Sequence, residues 1–297
     1  MKQTIKILTF IVLIGILQSC SNDQPIPQGQ LPSFQPKLVV NSSLNNLEPI
    51  HIKISDNAGA YTNDLPLDYS DVTILLKADG STVSTTYDAA SKSFLSNQSA
   101  ISGKSYTIEV QDNAGERPTV FARSFIPLEV GNKSIGYIEN GGTDMDGRPS
   151  DLISIEWTDQ AGSNYYMLHF YYYSETADLF IPFEFQINDA SLKAPETMKL
   201  NDGGFLFNDV LFNGQTKKIE AVPPGGLVAA NSDVLYLIEL RSVTRDFYNY
   251  YKTLQQYRDR DDLQQAGPFG SAVIVHSNII NGLGAFIASN VESDTIR

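Results

Sequence analysis

Gly103-Lys104-Ser105-Tyr106-Thr107-Ile108-Glu109-Val110 alternates polar and apolar residues with a period of two. An extended chain places Tyr106, Ile108 and Val110 on one face and Ser105, Thr107 and Glu109 on the other, the pattern of a strand with one side on a core and one in water. Asp112-Asn113-Ala114-Gly115 follows at once, and Asn and Gly tolerate the positive φ that a tight reversal needs. Thr119 to Phe125 then resumes an extended pattern. Towards the N-terminus, Val72-Thr73-Ile74-Leu75-Leu76-Lys77 runs into Asp79-Gly80 and out through Thr82 to Tyr87, which reads as a hairpin. Further out, Leu38-Val39-Val40 opens a strand over Lys37 to Leu44, and His51-Ile52-Lys53-Ile54-Ser55 alternates before Asp56-Asn57-Ala58-Gly59. Short polar turns between such strands, with no helical periodicity, predict an immunoglobulin-like β-sandwich over residues 37–127, closed by Pro127. The tetrapeptide Asp-Asn-Ala-Gly occurs at 56–59 and again at 112–115, most simply one turn solution used twice.

Residues 128–297 form a second β-rich, sandwich-like domain in this reading. Residues 139–150 are rich in Gly, Asp and Asn and are expected to be a loop. Within it, Asp144-Met145-Asp146-Gly147 begins as a calcium loop does, but Arg148-Pro149 follows and no Glu stands at the spacing of the bidentate ligand. Leu152 to Trp157 alternates, with Ile153, Ile155 and the lone tryptophan, Trp157, on the core face. Tyr165 to Tyr173 is apolar or aromatic at every position but His169. A strand covered on both faces is the simplest reading of that run; the other is an exposed aromatic platform offering Tyr171 and Tyr173 to a ligand. Phe205 to Phe212, Lys217 to Val222 and Val234 to Leu240, with Glu239 embedded, read as strands, and Pro223-Pro224-Gly225-Gly226 as a loop. Thr244 is a plausible N-cap, and Phe247, Tyr250, Tyr251, Leu254 and Tyr257 recur at helical spacing, so residues 245–259 are predicted to be the one amphipathic helix. Val273 to Val275 and Gly284 to Ala288 are expected to be closing strands.

Chemistry is sparse. His51, His169 and His276 are the only histidines, and none sits in a paired-ligand motif. There is no nucleophile elbow, phosphate loop or dinucleotide fingerprint. No catalytic residue and no cofactor is assigned, and the expectation is a protein that is not an enzyme; a hydrolase using two of the many carboxylates ranks last. With 34 acidic against 21 basic residues and a net charge of −13, nucleic acid is not an expected partner, since phosphate binding needs clustered cations.

The leader is more informative. Lys2 and Lys6 precede an apolar run from Ile7 to Leu17, and Ser19 is small, the layout of a secretory signal peptide over residues 1–19. That run makes about 16 Å of helix at 1.5 Å per residue, against a hydrocarbon layer of roughly 30 Å. Leu17-Gln18-Ser19-Cys20 resembles the lipobox of bacterial lipoproteins, in which the cysteine is thioether-linked to diacylglycerol and becomes the acylated N-terminus. Cys20 is the only cysteine, so it has no disulfide partner within the chain. Residues 20–36 then form the lipid-anchored cysteine and a tether carrying Pro25, Pro27, Pro32 and Pro36, with a reach of about 50 Å extended and roughly 20–25 Å as a coil. Ser21 after the cysteine favours the outer membrane by resemblance to the lipoprotein sorting rule, and Asp23 inclines the choice towards the cell surface over the periplasm.

Beyond the lipobox, a series of blocks carries a wider resemblance. Lys37-Leu38-Val39-Val40, Asp71-Val72-Thr73-Ile74-Leu75, Gly103 to Val110, Trp157-Thr158-Asp159 before Tyr165-Tyr166, Asp246-Phe247-Tyr248-Asn249-Tyr250 and Ser277-Asn278-Ile279-Ile280-Asn281-Gly282-Leu283-Gly284-Ala285-Phe286 resemble, in order, the Bacteroidota lipoprotein family of domain of unknown function 4249. Its members often sit beside TonB-dependent outer-membrane transporters. The resemblance therefore implies an outer-membrane lipoprotein that is an accessory or ligand-capturing partner of such a transporter, its lipid contact made through acylated Cys20. The alternative is a surface adhesive or glycan-binding module using Tyr171 and Tyr173.

Overall fold

Eight strands come first in a computed structural model that describes residues 36–57, 71–224, 235–264 and 273–296. They are β1 (Leu38–Leu44), β2 (Pro49–Asp56), β3 (Val72–Ala78), β4 (Ser81–Val83), β5 (Thr86–Asp88), β6 (Ser93–Ser99), β7 (Ser105–Asp112) and β8 (Val120–Phe125). They pair as β1-β2-β6-β5 and β4-β3-β7-β8, the strand arrangement of an immunoglobulin-like sandwich. The alternation along β7 becomes burial: Tyr106, Ile108 and Val110 face inwards and Thr107 and Gln111 outwards. Opposite them, Leu38, Val40, Ile52 and Ile54 of β1 and β2 complete the core. Asp79 and Gly80, with φ of 46° and 86°, make the reversal from β3 to β4, as an Asp-Gly hairpin turn requires.

The two Asp-Asn-Ala-Gly copies are tied together by a residue outside both. Arg117 donates to Asp56 Oδ2 at 3.0 Å and to Asp112 Oδ2 at 3.2 Å, so one guanidinium pairs the first aspartate of each copy. The Asp112 side chain is 1% exposed and that of Arg117 9%. Removing a buried cation leaves its carboxylates unpaired, so Arg117→Ala is expected to cost about 3 kcal/mol. Urea unfolding should report this as a lower midpoint at unchanged slope.

The remaining strands are β9 (Gly131–Thr143), β10 (Pro149–Thr158), β11 (Tyr165–Ser174), β12 (Leu179–Pro182), β13 (Gln186–Ile187), β14 (Met198–Lys199), β15 (Phe205–Asn208), β16 (Thr216–Val222), β17 (Tyr236–Val243) and β18 (Leu283–Ile296). A helix, α1 (Arg245–Gln264), lies between the last two. The sheet β13-β16-β10-β9 packs over β14-β15-β11-β17-β18. Trp157 is fully buried between them, with Tyr166 at 5.4 Å and Phe212 at 5.9 Å, both edge-on. The chain is thus mainly β, sandwich-like in both halves, with one helix among the described residues.

The strand β18 joins the halves. Its first residues run parallel to β1, Val39 to Leu44 against Leu283 to Ala288, and its last eight run antiparallel to β17. One ten-stranded sheet results, and the described residues from Pro36 onwards form one compact unit. The block Ser277 to Phe286 is the fastening. Asn278 accepts from the Phe286 amide at 2.9 Å and donates to its carbonyl at 2.8 Å, so one side chain replaces a strand pair. Ile280 exchanges both backbone hydrogen bonds with Phe121 of β8. A Cβ on Gly282 would lie 2.7 Å from the Leu38 carbonyl oxygen, so the chain passes β1 in direct backbone contact.

Some sequence expectations are corrected. Residues 139–150 are not a loop: β9 continues to Thr143 and β10 starts at Pro149, leaving a reversal at 144–148. Gly142 marks close cross-strand approach, since a Cβ there would lie 2.9 Å from Val222 Cγ2, as one on Gly136 earlier in β9 would lie 2.5 Å from Ser154 Oγ. Residues 273–275 are not a strand; they lead into the Asn278 fastening, which takes the place of a ladder. The helix extends to Gln264 rather than ending at 259. The signal peptide, Cys20, the tether up to residue 35, Ala58-Gly59 and Gly225-Gly226 lie outside the described residues.

Candidate functional site

Along β11 the side chains divide between two environments. Tyr166, Leu168 and Phe170 enter the Trp157 core, while Met167, His169, Tyr171 and Tyr173 fall on the opposite face of the ten-stranded sheet. Helix α1 covers part of that face. Thr244 Oγ1 accepts from the Phe247 amide at 3.2 Å, the N-cap that starts it. Phe247 and Tyr248 are buried against Met167, Leu206, Val243, Ala285 and Ile287, and the Tyr248 ring meets Tyr165 at 4.9 Å. Burial of this aromatic stripe is what holds the helix on the sheet.

Beside the helix the face becomes polar. His169 is 2% exposed and stands directly across the ladder from Glu239. Arg241 Nε donates to Glu239 Oε1 at 2.7 Å. The imidazole of His169 has Asp202 Oδ1 at 3.0 Å from Nε2, an ion-pair separation. The pair lacks the alignment of a formed hydrogen bond, and neither ring nitrogen has a hydrogen-bond partner among the described residues. His169 still holds the Asp202 carboxyl below its ordinary pKa, against burial, which acts the other way. Tyr171 stacks on the imidazole at 5.7 Å and 28°. Burial first, and the Glu239 charge second, push its hydroxyl up to about 12. Burial also raises Tyr251, which faces the cluster from α1. For Arg241 burial opposes the charge, but Glu239 outweighs it and the net shift is upwards.

The turn that delivers Asp202 is made by glycine. Gly203 has φ of 84°, and the Gly204 amide donates to Asp202 Oδ1 at 3.2 Å. A Cβ on Gly204 would lie 2.7 Å from the His169 Cε1 and closer still to Nε2 and Cδ2. Gly204→Ala is therefore expected to destabilise by about 1–3 kcal/mol through overpacking. Combining it with His169→Ala should restore part of that loss, and a double-mutant cycle by urea denaturation measures the coupling.

Tyr171 and Tyr173 do share one face and both are half-buried. Tyr173 is engaged locally: its hydroxyl donates to Asp178, and its ring meets Phe180 edge-on at 5.4 Å. Asp144 and Asp146 lie elsewhere, on the reversal between β9 and β10. Asp144 Oδ1 accepts the amides of Asp146 at 3.0 Å and Arg148 at 2.8 Å, and Asp146 pairs with Arg148 at 3.5 Å. Among the described residues no three His, Cys, Asp or Glu side chains are grouped to hold a metal ion.

Asp202, Gly204 and Arg241 went unmarked in the sequence, and Glu239 was marked only as an acid in an apolar strand. Their one signal was an acid before two glycines at 202–204; what assembles them is pairing between strands distant in sequence. The aromatic and charged row on β11 and β17, half-open beside α1, is the candidate contact site. The family model described as Domain of unknown function (DUF4249) matches residues 24–295. No curated protein matches the chain.

Proposed function

The chain belongs to the family described as Domain of unknown function (DUF4249), and from that membership we propose that it is a non-enzymatic outer-membrane lipoprotein serving a TonB-dependent transporter as an accessory or ligand-capturing partner. The observation that carries this reading is Leu17-Gln18-Ser19-Cys20, placed between an apolar run and a Pro-rich tether. The tether brings the folded body, which starts at Pro36, within a few tens of ångströms of the bilayer, where a membrane partner is found. Among the described residues no helix is long and apolar enough to cross a membrane. Tyr171 and Arg241, half-buried on that face, are residue types enriched in interface cores, and Glu239 holds the guanidinium in place.

Affinity purification of the native, acylated protein from detergent-solubilised outer membrane is the test. A transporter should be recovered in stoichiometric amount; a protein that migrates alone contradicts the reading. Tyr171 and Tyr173 on one face favour a second reading, a glycan-binding module at the cell surface. A glycan array decides between them: binding lost in Tyr171→Ala and Tyr173→Ala supports the module, and an empty array removes it.

A further inference from the structure

A separate cavity of about 510 Å³ lies where the N-terminal sandwich passes into the second, between the end of β8, the segment after Pro127 and the start of α1. That volume falls within the usual range of small-molecule sites. Phe125, Leu128 and Val130 form an apolar wall, and Gln160, Ser163, Asn164, Ser242, Thr244 and Arg245 make the rest of the lining largely polar. Phe125 is 45% exposed and Leu128 52%, so two large apolar side chains stand side by side in water around a concavity. Covering them is worth roughly 25 cal/mol for each Å² removed from water.

Arg245 gives the cavity its chemical sign. Its guanidinium makes no hydrogen bond or ion pair among the described residues, although the chain carries 34 acidic groups to choose from. Nor does the helix call for it. A cation in the first turn is opposed by the helix dipole by about 0.3–1 kcal/mol, and Asp246 and the Thr244 cap already serve that end. An exposed, unpaired guanidinium lining a concavity that has one apolar wall suits a ligand with an anionic head and an apolar body. A guanidinium binds carboxylates and phosphates alike in bidentate fashion, and a carboxylate, with a single negative charge, is the head that the one cation of this lining matches.

We propose that this junction cavity binds a small amphiphilic carboxylate, its head on Arg245 and its apolar body on Phe125, Leu128 and Val130. The inference deepens the ligand-capture reading by naming a ligand class, and it stands or falls apart from any transporter: recovery of a partner bears on the role, binding bears on the site. Isothermal titration uses the full mature chain carrying Cys20→Ser, so that no detergent is present, with decanoate as the probe and decanol and decyltrimethylammonium as neutral and cationic controls. Decanoate should bind saturably at one site, at least tenfold more tightly than either control. Arg245→Ala should weaken decanoate about tenfold and leave decanol unchanged, in keeping with the loss of a charge-assisted hydrogen bond. Arg245→Lys should recover part of the loss, and Leu128→Asp should remove binding of all three while the near-ultraviolet circular dichroism stays native. No binding of decanoate, equal binding of the three probes, or an Arg245→Ala protein that binds decanoate as wild type does would each overturn the proposal.

Discussion

Gly284→Ala is expected to cost the protein most of its stability. Gly284 holds φ at 100°, where a side chain is strained, and its missing Cβ faces the backbone of Val40. A Cβ there would lie 2.9 Å from the Val40 carbonyl carbon and 3.0 Å from its nitrogen, with the carbonyl oxygen nearer still. Val40 cannot retreat. It is paired with Ile54 on its other side, is fully buried, and lies on β1 between β18 and β2. Backbone strain and a backbone clash act together, so a loss of about 4 kcal/mol or more is expected, against a total of roughly 5–15 kcal/mol for a domain. Because β18 pairs with both β1 and β17, both sandwiches should loosen in one transition. Gly147→Ala is the control. Gly147 also has positive φ, at 78°, but nothing lies within 4 Å of its absent Cβ, so only the conformational cost of about 1 kcal/mol should appear. Urea denaturation of both variants measures the difference. If Gly284→Ala unfolds within about 1 kcal/mol of Gly147→Ala, β18 is not held against β1 as described.

That glycine also shows where reading the sequence succeeds and stops. Period-two alternation at Tyr106, Ile108 and Val110 translated directly into burial, because an antiparallel strand with one wet face writes its environment along its own length. Asp79-Gly80 was legible for a related reason: two positive φ values select their residues locally. The helix start at Thr244 and Phe247 was equally local. The parallel pairing of β1 with β18 joins residues some 244 positions apart and leaves no turn signal of its own. Gly282-Leu283-Gly284 could be recognised in the sequence as part of a block that carries the family resemblance, but not as the point where one backbone passes against another.

The candidate face follows the same rule. Tyr171 and Tyr173 were read from one strand, and they do share a side. Their polar neighbours come from β17 and from the turn at Asp202, so His169 showed neither Glu239 across the ladder nor Gly204 making room for its ring. Glycine misled at 142, where close contact with Val222 on a neighbouring strand imitates the composition of a loop. The repeated Asp-Asn-Ala-Gly reads as one turn used twice, yet only the fold brings Asp56 and Asp112 to the single guanidinium of Arg117.

The second large effect concerns location rather than stability. Cys20 is the sole cysteine, and it stands two residues beyond an apolar run suited to a leader and before a Pro-rich stretch. Each acyl chain of about fifteen carbons contributes on the order of 10 kcal/mol of membrane affinity at about 0.8 kcal/mol per methylene, so two or three chains retain a protein almost permanently. Serine cannot form the thioether, and residues 20–297, with a net charge near −15 from 19 basic and 34 acidic residues, have no electrostatic attraction to an anionic bilayer. The body from Pro36 onwards is a compact unit by itself, so replacing Cys20 should leave its unfolding midpoint unchanged. The decisive measurement is the distribution of wild-type and Cys20→Ser protein between membrane and soluble fractions after cell breakage in high salt. The wild-type protein should be found with the outer membrane and the variant, still folded, in the soluble fraction; a folded Cys20→Ser protein that stays with the membrane would contradict the lipid anchor and, with it, the role proposed for this chain.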